Sequence, residues 1–274
     1  MAKFQVEGFA IVTGAASGVG KEVAFTFAEA GAKGVIFADI NEPAVTQASE
    51  ESKKLASNPL YRTIAVRTDV TDADSVQALV DLAVKEFGRI DYCINSAGVA
   101  VGEFVRFTDV TIEDFERVLG VNTKGAFLLS KAVVKAMQAQ EPAHVDFGRH
   151  GIRNIGRGSI VHVSSALAFM AGPFKTPYTT SKHALMGITR AIAQDCKFDL
   201  IRVNQVCPTW VKTPMYEEEC EGLPPTAGII EGMMGVKRPV EPDEVAAACL
   251  YFCTPSAVYL SGSSLVMDSA ALAG

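Results

Sequence analysis

Short runs of β-branched and apolar residues alternate along this chain with longer segments whose apolar positions recur every three to four residues. FAIVT at 9–13 predicts a strand, and VGKEVAFTFAEAGA behind it carries helical spacing. GVIFAD at 34–39 predicts the second strand, followed by a polar helix from Pro43. RTIAVRTDV at 62–70 and DSVQALVDLAVKEFG repeat the pair, and DYCINSAG at 91–98 predicts a fourth strand and turn. One long helix is expected from about Thr111 to Gln138, then a fifth strand in SIVHVSS at 159–165. A helix through PYTTSKHAL (177–185), the strand IRVNQVCP (201–208), a long loop, a helix from Glu241 and the strand SSLVMDS close the series. Strand alternating with helix predicts one α/β domain over 1–274, a doubly wound parallel sheet of about seven strands with helices on both faces.

Two stretches break the alternation. QEPAHVDFGRHGIRNIGR at 140–157 joins a helix end to a strand start and carries Arg149, Arg153 and Arg157. That position lies opposite the carboxyl ends of the strands, where such folds bind ligands, so the arginines are expected in a solvated surface loop and not in a phosphate clamp. The segment from about 208 to 239 leaves the carboxyl end of a strand, and its length suggests a substrate lid.

Composition narrows the function. The chain has 274 residues, 49% hydrophobic and 20% charged, enough for one sizeable core. Its net charge of -6 argues against a nucleic-acid partner. No apolar run is long enough to span a membrane, and the first residues lack the pattern of a secretory signal, so a cytoplasmic location is expected. The six cysteines form no C-x-x-C pair and have no histidine at metal-ligand spacing. They read as buried structural thiols, and no metal is expected.

The chemistry begins at TGAASGVGK (13–21), where Gly14, Gly18 and Gly20 stand between the first strand and its helix. Small residues there let a pyrophosphate approach the backbone and the helix N-terminus. Asp39 ends the second strand 19 residues after Gly20, placed to accept hydrogen bonds from an adenosine ribose and to repel a 2′-phosphate. Ile40 and Asn41 follow it with no basic side chain, which favours NAD over NADP.

The glycine spacing, with NSAG (95–98), the serines at 164–165 and YTTSK (178–182), resembles the short-chain dehydrogenase/reductase family, whose members have a Rossmann fold. The resemblance extends from Phe9 to about Ser269, and the long connector with GRGSIVHVSS (156–165) resembles filamentous-fungal members, many of which serve secondary metabolism. It implies cofactor contacts from Thr13, Gly14, Ser17, Gly18, Val19, Gly20, Asp39 and Ile40. It adds Asp69 and Val70 after the third strand, and Asn95, Ala97 and Gly98 after the fourth. Pro208, Thr209, Val211 and Thr213 would line the nicotinamide end, beside Tyr178 and Lys182. The implied catalytic set is Asn122, Ser165, Tyr178 and Lys182. Three positions depart from the family pattern: Ser96 stands for a second Asn, Thr209 for a Gly, and Asp268-Ser269-Ala270 for Asp-Gly-Gly.

Lys182 lies one helical turn from Tyr178 on the same face. A free tyrosine is a poor base near neutrality, so the ammonium, with the positive ring of an oxidised nicotinamide, is expected to lower its pKa. Tyr178 would then exchange a proton with an alcohol or ketone whose oxygen Ser165 holds. The resemblance implies that Lys182 also contacts the nicotinamide ribose and that Asn122 anchors a water relay.

The expected activity is hydride transfer between NAD and a secondary alcohol or ketone. Phe104, Leu167, Phe169, Met170, Trp210, Met215, Tyr216, Met233 and Met234 are candidate pocket walls and suggest a medium-sized apolar substrate. The same residues could instead pack on one another or on a neighbouring subunit. Two alternatives stay open: a non-redox isomerisation or cyclisation with bound cofactor, and a dinucleotide-sensing regulator without catalysis. The resemblance also implies a homo-oligomer, tetramer or dimer, through the helix from Thr111 and the one spanning Lys182 to Cys196.

Overall fold

The computed structural model describes residues 5–101, 105–222 and 235–272. Seven parallel strands form one sheet in the order β3-β2-β1-β4-β7-β8-β9. They are β1 (Phe9–Thr13), β2 (Gly34–Asp39), β3 (Arg62–Arg67), β4 (Tyr92–Asn95), β7 (Gly158–Val163), β8 (Ile201–Pro208) and β9 (Ser264–Met267). The order reverses between β1 and β4, which opens a crevice at the carboxyl ends of those two strands.

Neighbouring residues on each strand face opposite ways, and the two faces build two cores. Ile11, Ile36, Cys93, Ile160 and Val203 face Leu79, Leu129 and Met137. Those last three come from α3 (Ala73–Phe87) and α5 (Ala126–Gln138). One residue further along each of the first four strands, Val12, Phe37, Ile94 and Val161 face the other way and meet Phe27 and Phe252. Phe27 lies on α1 (Gly18–Glu29) and Phe252 on the Pro242–Cys253 helix. In-register pairs such as Ile11 with Ile36 and Cys93 with Ile160 keep each apolar row continuous across the sheet. A one-residue slip would turn every one of these side chains to the other face. All six cysteines are free, and five are buried, as the expectation of structural thiols requires.

The elements depart from the sequence expectations in three places. The 140–157 connector is not a loop: β5 (Ala143–Asp146) and β6 (Ile152–Gly156) pair as an antiparallel hairpin. Gln140 and Arg157 anchor its base, where Gln140 donates to the Ile90 carbonyl at 2.8 Å and the Arg157 guanidinium donates to the Gln140 carbonyl. The hairpin therefore sits at the amino ends of the strands, and Arg153 stacks over Phe147, 5.0 Å from the ring centre. The expected long helix from Thr111 is interrupted: α4 (Ile112–Leu119) passes through a π-helical segment at Gly120–Gly125 before α5 begins. Within the proposed lid, Val211 bridges Val240 and α7 spans Pro214–Gly222, while the rest of that segment lies partly outside the described residues. Phe104, Met233 and Met234 lie outside them too.

Candidate active site

The turn after β1 needs glycine for steric reasons. Gly14 sits at φ +68°, and a Cβ there would come within 2.8 Å of the Ala97 nitrogen. A Cβ on Gly20 would collide with the Gly14 carbonyl oxygen, so α1 can press onto the turn only without a side chain there. Thr13 braces the same crevice from below. Its hydroxyl donates to Asn95 Oδ1 at 3.1 Å and accepts from the Ser96 and Ala97 amides at 3.3 Å each. Thr13 and Asn95 thus tie β1 to β4 at the point where the strand order reverses.

Ser17, the N-cap of α1, makes no side-chain capping bond, which leaves first-turn N–H groups of the helix open to an anion. Val19 follows in the first turn. Asp39 spreads its carboxylate over both neighbours, accepting from the Ala16 amide at 3.1 Å and the Asn41 amide at 2.9 Å. It pins the glycine turn to the end of β2, and an ionised carboxylate with two bonds retains further acceptor sites. Ile40 beside it is 58% exposed. Asp69 accepts from the Thr71 amide at 2.9 Å and the Thr71 hydroxyl at 2.7 Å, and these bonds hold its carboxyl below the usual range. Val70 is buried, and a Cβ on Gly125, the last residue of the π-helical segment, would lie 2.9 Å from its side chain.

At the other side of the crevice, Asn122 occupies the π-helical segment and is buried. Its Oδ1 accepts from the Val99 amide at 2.9 Å, and its Nδ2 donates to the Val99 carbonyl at 2.9 Å and to the Ser181 hydroxyl at 3.0 Å. Ser181 in turn donates to the Tyr178 carbonyl at 2.7 Å. Asn122 therefore links the turn after β4 to α6 (Thr176–Asp195), the helix that carries Tyr178 and Lys182. A π-turn widens the helix by one residue and commonly marks a functional position.

Lys182 donates from Nζ to the Val163 carbonyl at 3.1 Å and stands over the Tyr178 ring, 5.3 Å from its centre. Burial pushes the Lys182 amine down to about 8. The Tyr178 phenol departs from the sequence expectation: burial pushes it up to about 12, the Ser165 hydroxyl pulls it back in part, and the Glu219 charge raises it further. Desolvation of the phenolate sets the direction of the shift. Ser165 caps the short turn after β7 by accepting from the Leu167 amide at 3.1 Å. Pro208 ends β8, Thr209 donates to the Met267 carbonyl at 3.1 Å from its amide, and Thr213 donates its hydroxyl to the Val211 carbonyl at 3.1 Å. The Thr213 methyl would stand 3.2 Å from a Cβ on Gly18, so the segment after β8 touches the glycine turn.

Sequence reasoning missed two groups of residues. One is Ser181 with the buried His162, whose Nε2 meets the Ser130 hydroxyl at 3.0 Å and whose Nδ1 meets Thr189 at 2.8 Å. Thr189 donates to the Leu185 carbonyl, so the ring joins α5, β7 and α6 behind the site. The other is the ion pair Lys175–Glu219, 3.2 Å long, with Trp210 Nε1 donating to Glu219 at 3.3 Å. Polar residues inside helix or strand patterns were the available signal in each case. A cleft of about 440 Å³ runs from Ser17 past Gly98 and Val99 to Arg117, Lys175, Met215 and Glu219. Of the candidate walls, Met215 lines it, and charged side chains join it there.

A parallel sheet with a crevice at its switch point, a glycine turn at that crevice and a Tyr–Lys pair one helical turn apart define an α/β fold of the nucleotide-binding kind. The family model described as enoyl-(acyl carrier protein) reductase matches residues 14–269. The short-chain dehydrogenase anuF of Penicillium roqueforti is 39% identical over 265 residues, covering 96% of this chain and 95% of that one. The short-chain dehydrogenase fogB of Aspergillus ruber is 38% identical over 263 residues, covering 96% of each. A short-chain type dehydrogenase/reductase from Mycobacterium marinum superposes with a TM-score of 0.84 at 28% identity, covering 99% and 98% of the two chains. The chain belongs to the short-chain dehydrogenase/reductase family.

Proposed function

We propose that this protein is an NAD-dependent oxidoreductase acting on a secondary alcohol or ketone, with Asn122, Ser165, Tyr178 and Lys182 as its catalytic set. One observation carries the reading. Tyr178 is half-buried, with the buried Lys182 over its ring and Ser165 beside it, and its helix is tied through Ser181 and Asn122 to the turn that follows the glycine crevice. The residues fit a dinucleotide: the uncapped N-terminus of α1 would take the pyrophosphate, Asp39 the adenosine ribose, Asp69 and Val70 the adenine side, and Gly98, Thr209, Val211 and Thr213 the nicotinamide end. Lys21, the cation nearest the glycine turn in sequence, is committed to Glu51 at 2.7 Å, which supports NAD over a cofactor with an extra phosphate. Bound there, the cofactor supplies the hydride acceptor or donor and, when oxidised, a positive ring.

Tyr178 moves the proton. Its hydroxyl donates to a carbonyl oxygen in reduction and accepts from an alcohol in oxidation, while Ser165 orients that oxygen by hydrogen bonding. Lys182 stands over the ring and, while protonated, favours the phenolate; burial pushes its amine down to about 8, so that charge is present only below this value. Asn122 holds the helix in register with the crevice floor through the bonds to Val99 and Ser181. The lid at 208–239 would cover a medium-sized substrate, with Met215 on one wall. The likeness to Penicillium and Aspergillus relatives supports a place in fungal secondary metabolism. A cytoplasmic homo-oligomer, tetramer or dimer, completes the proposal.

Tyr178→Phe tests it. The variant should still bind NAD by calorimetry and lose about 100- to 10,000-fold in kcat, followed by the absorbance of reduced nicotinamide. Turnover retained within a few fold would overturn the assignment.

A further inference from the structure

The Lys175–Glu219 pair lies where the proposed chemistry does not use it. Lys175 is the N-cap residue of α6, three positions before Tyr178, and Glu219 projects from α7 across the cleft. Their side chains are only 10% and 15% exposed, yet both line the 440 Å³ cleft together with Gly98 and Val99. A largely desolvated ion pair costs free energy that an apolar pair of similar size would not, so its place in a cleft wall points to a polar task. Glu219 is also close enough to the proton-transfer site for its charge to raise the Tyr178 phenol. Each carboxylate oxygen of Glu219 has one donor at the long end of the range, Lys175 Nζ at 3.2 Å and Trp210 Nε1 at 3.3 Å. An ionised carboxylate offers about four acceptor sites, so two remain for a ligand in the cleft.

We propose that Glu219, held by Lys175 and Trp210, is a specificity-determining residue that accepts a hydrogen bond from a second hydroxyl of the substrate. The substrate class is then a diol or hydroxyketone, one oxygen facing Tyr178 and another facing Glu219, and not a hydrocarbon with a single alcohol. This rests on the reading of the site as a hydride-transfer centre and narrows its substrate. A site built to hydrogen-bond a hydroxyl discriminates strongly against an analogue that lacks it, because the buried acceptor is left unpaired.

Trp210 is the only tryptophan in the chain and its indole N–H touches Glu219, so its fluorescence reports on this carboxylate without any turnover. The experiment titrates the protein with cyclohexanol and with the 1,2-, 1,3- and 1,4-cyclohexanediols, reading Trp210 emission, and then measures kcat/KM for the same compounds with NAD. At least one diol should bind tenfold or more tighter than cyclohexanol and be oxidised with a kcat/KM at least tenfold higher. Glu219→Leu combined with Lys175→Met, which removes both charges at once, should bring either ratio near one. Glu219→Gln, closest in shape, should reduce it in the same direction. Cyclohexanol bound as tightly as every diol, or a ratio unmoved in both variants, overturns the proposal. If Trp210 discriminates but no compound is oxidised, the hydride-transfer reading fails and the recognition pair stands. If all are oxidised alike, the recognition pair fails and the hydride-transfer reading stands.

Discussion

His162 makes the stability of this protein depend on pH in a way that can be worked from the structure. The ring is fully buried on β7 between the Ser130 and Thr189 hydroxyls, and burial, with the nearby Lys182 charge, pushes its pKa down to about 4. In the unfolded chain it titrates near 6.5. Between those values the unfolded state binds the proton and the folded state does not, so stability falls as the pH drops through 6.5 and the loss is complete below about 4. A depression from 6.5 to about 4 corresponds to a limit of about 3 kcal/mol, of which about 2 kcal/mol is already lost at pH 5. That is a large share of the roughly 5–15 kcal/mol that holds a typical domain together. The other three histidines, His144, His150 and His183, are exposed, and the carboxyls that burial raises, Asp91 and Glu22, act in the opposite sense, so a fall in stability over this window carries the sign of His162. Urea unfolding at fixed protein concentration and ionic strength, between pH 7.5 and 5, measures the slope. His162→Asn leaves the Ser130 hydroxyl without its partner and should cost about 1–3 kcal/mol at pH 7.5. Its curve should be flatter, so the gap to the native protein closes as the pH falls. Parallel curves, or a native stability constant to pH 5, would refute the reasoning.

Other outcomes follow from the site. Gly14→Ala forces a side chain against the Ala97 backbone at positive φ; it should lower stability by about 1–3 kcal/mol and weaken NAD binding, read by thermal melting and calorimetry. Asn122→Ala strands the Val99 amide and the Ser181 hydroxyl, and should cost about 1–3 kcal/mol and lower kcat more than it raises KM. Asp39→Ser should reduce the preference for NAD over NADP about tenfold or more, since the charge that repels a 2′-phosphate is gone; an unchanged ratio of kcat/KM values would remove Asp39 from cofactor selection. Because burial holds Tyr178 near 12 and oxidation needs the phenolate, the rate of alcohol oxidation should rise with pH through the alkaline range, and a rate flat from about pH 7 to 10 would refute this.

The sequence by itself determined the alternation of strand and helix, because burial on both faces of a parallel sheet writes β-branched runs and helical spacing into neighbouring residues. It also determined the glycine turn and the four-residue spacing of Tyr178 and Lys182, which one helical turn places together wherever the helix lies. What it left open involves partners far apart in the chain. The hairpin at 143–156 depends on the anchoring of Gln140 at Ile90, and the π-helical segment holds Asn122 against Val99 and Ser181. Thr13 and Asp39 read as cofactor ligands in sequence, but the fold also makes them braces of the crevice through Asn95, Ala16 and Asn41. The direction of the Tyr178 shift was decided by desolvation, which no local spacing encodes, and by Glu219, which lies 41 residues further along the chain. Local periodicity records which face of an element is buried; only the assembled structure decides how dry a group becomes and whose charge it meets.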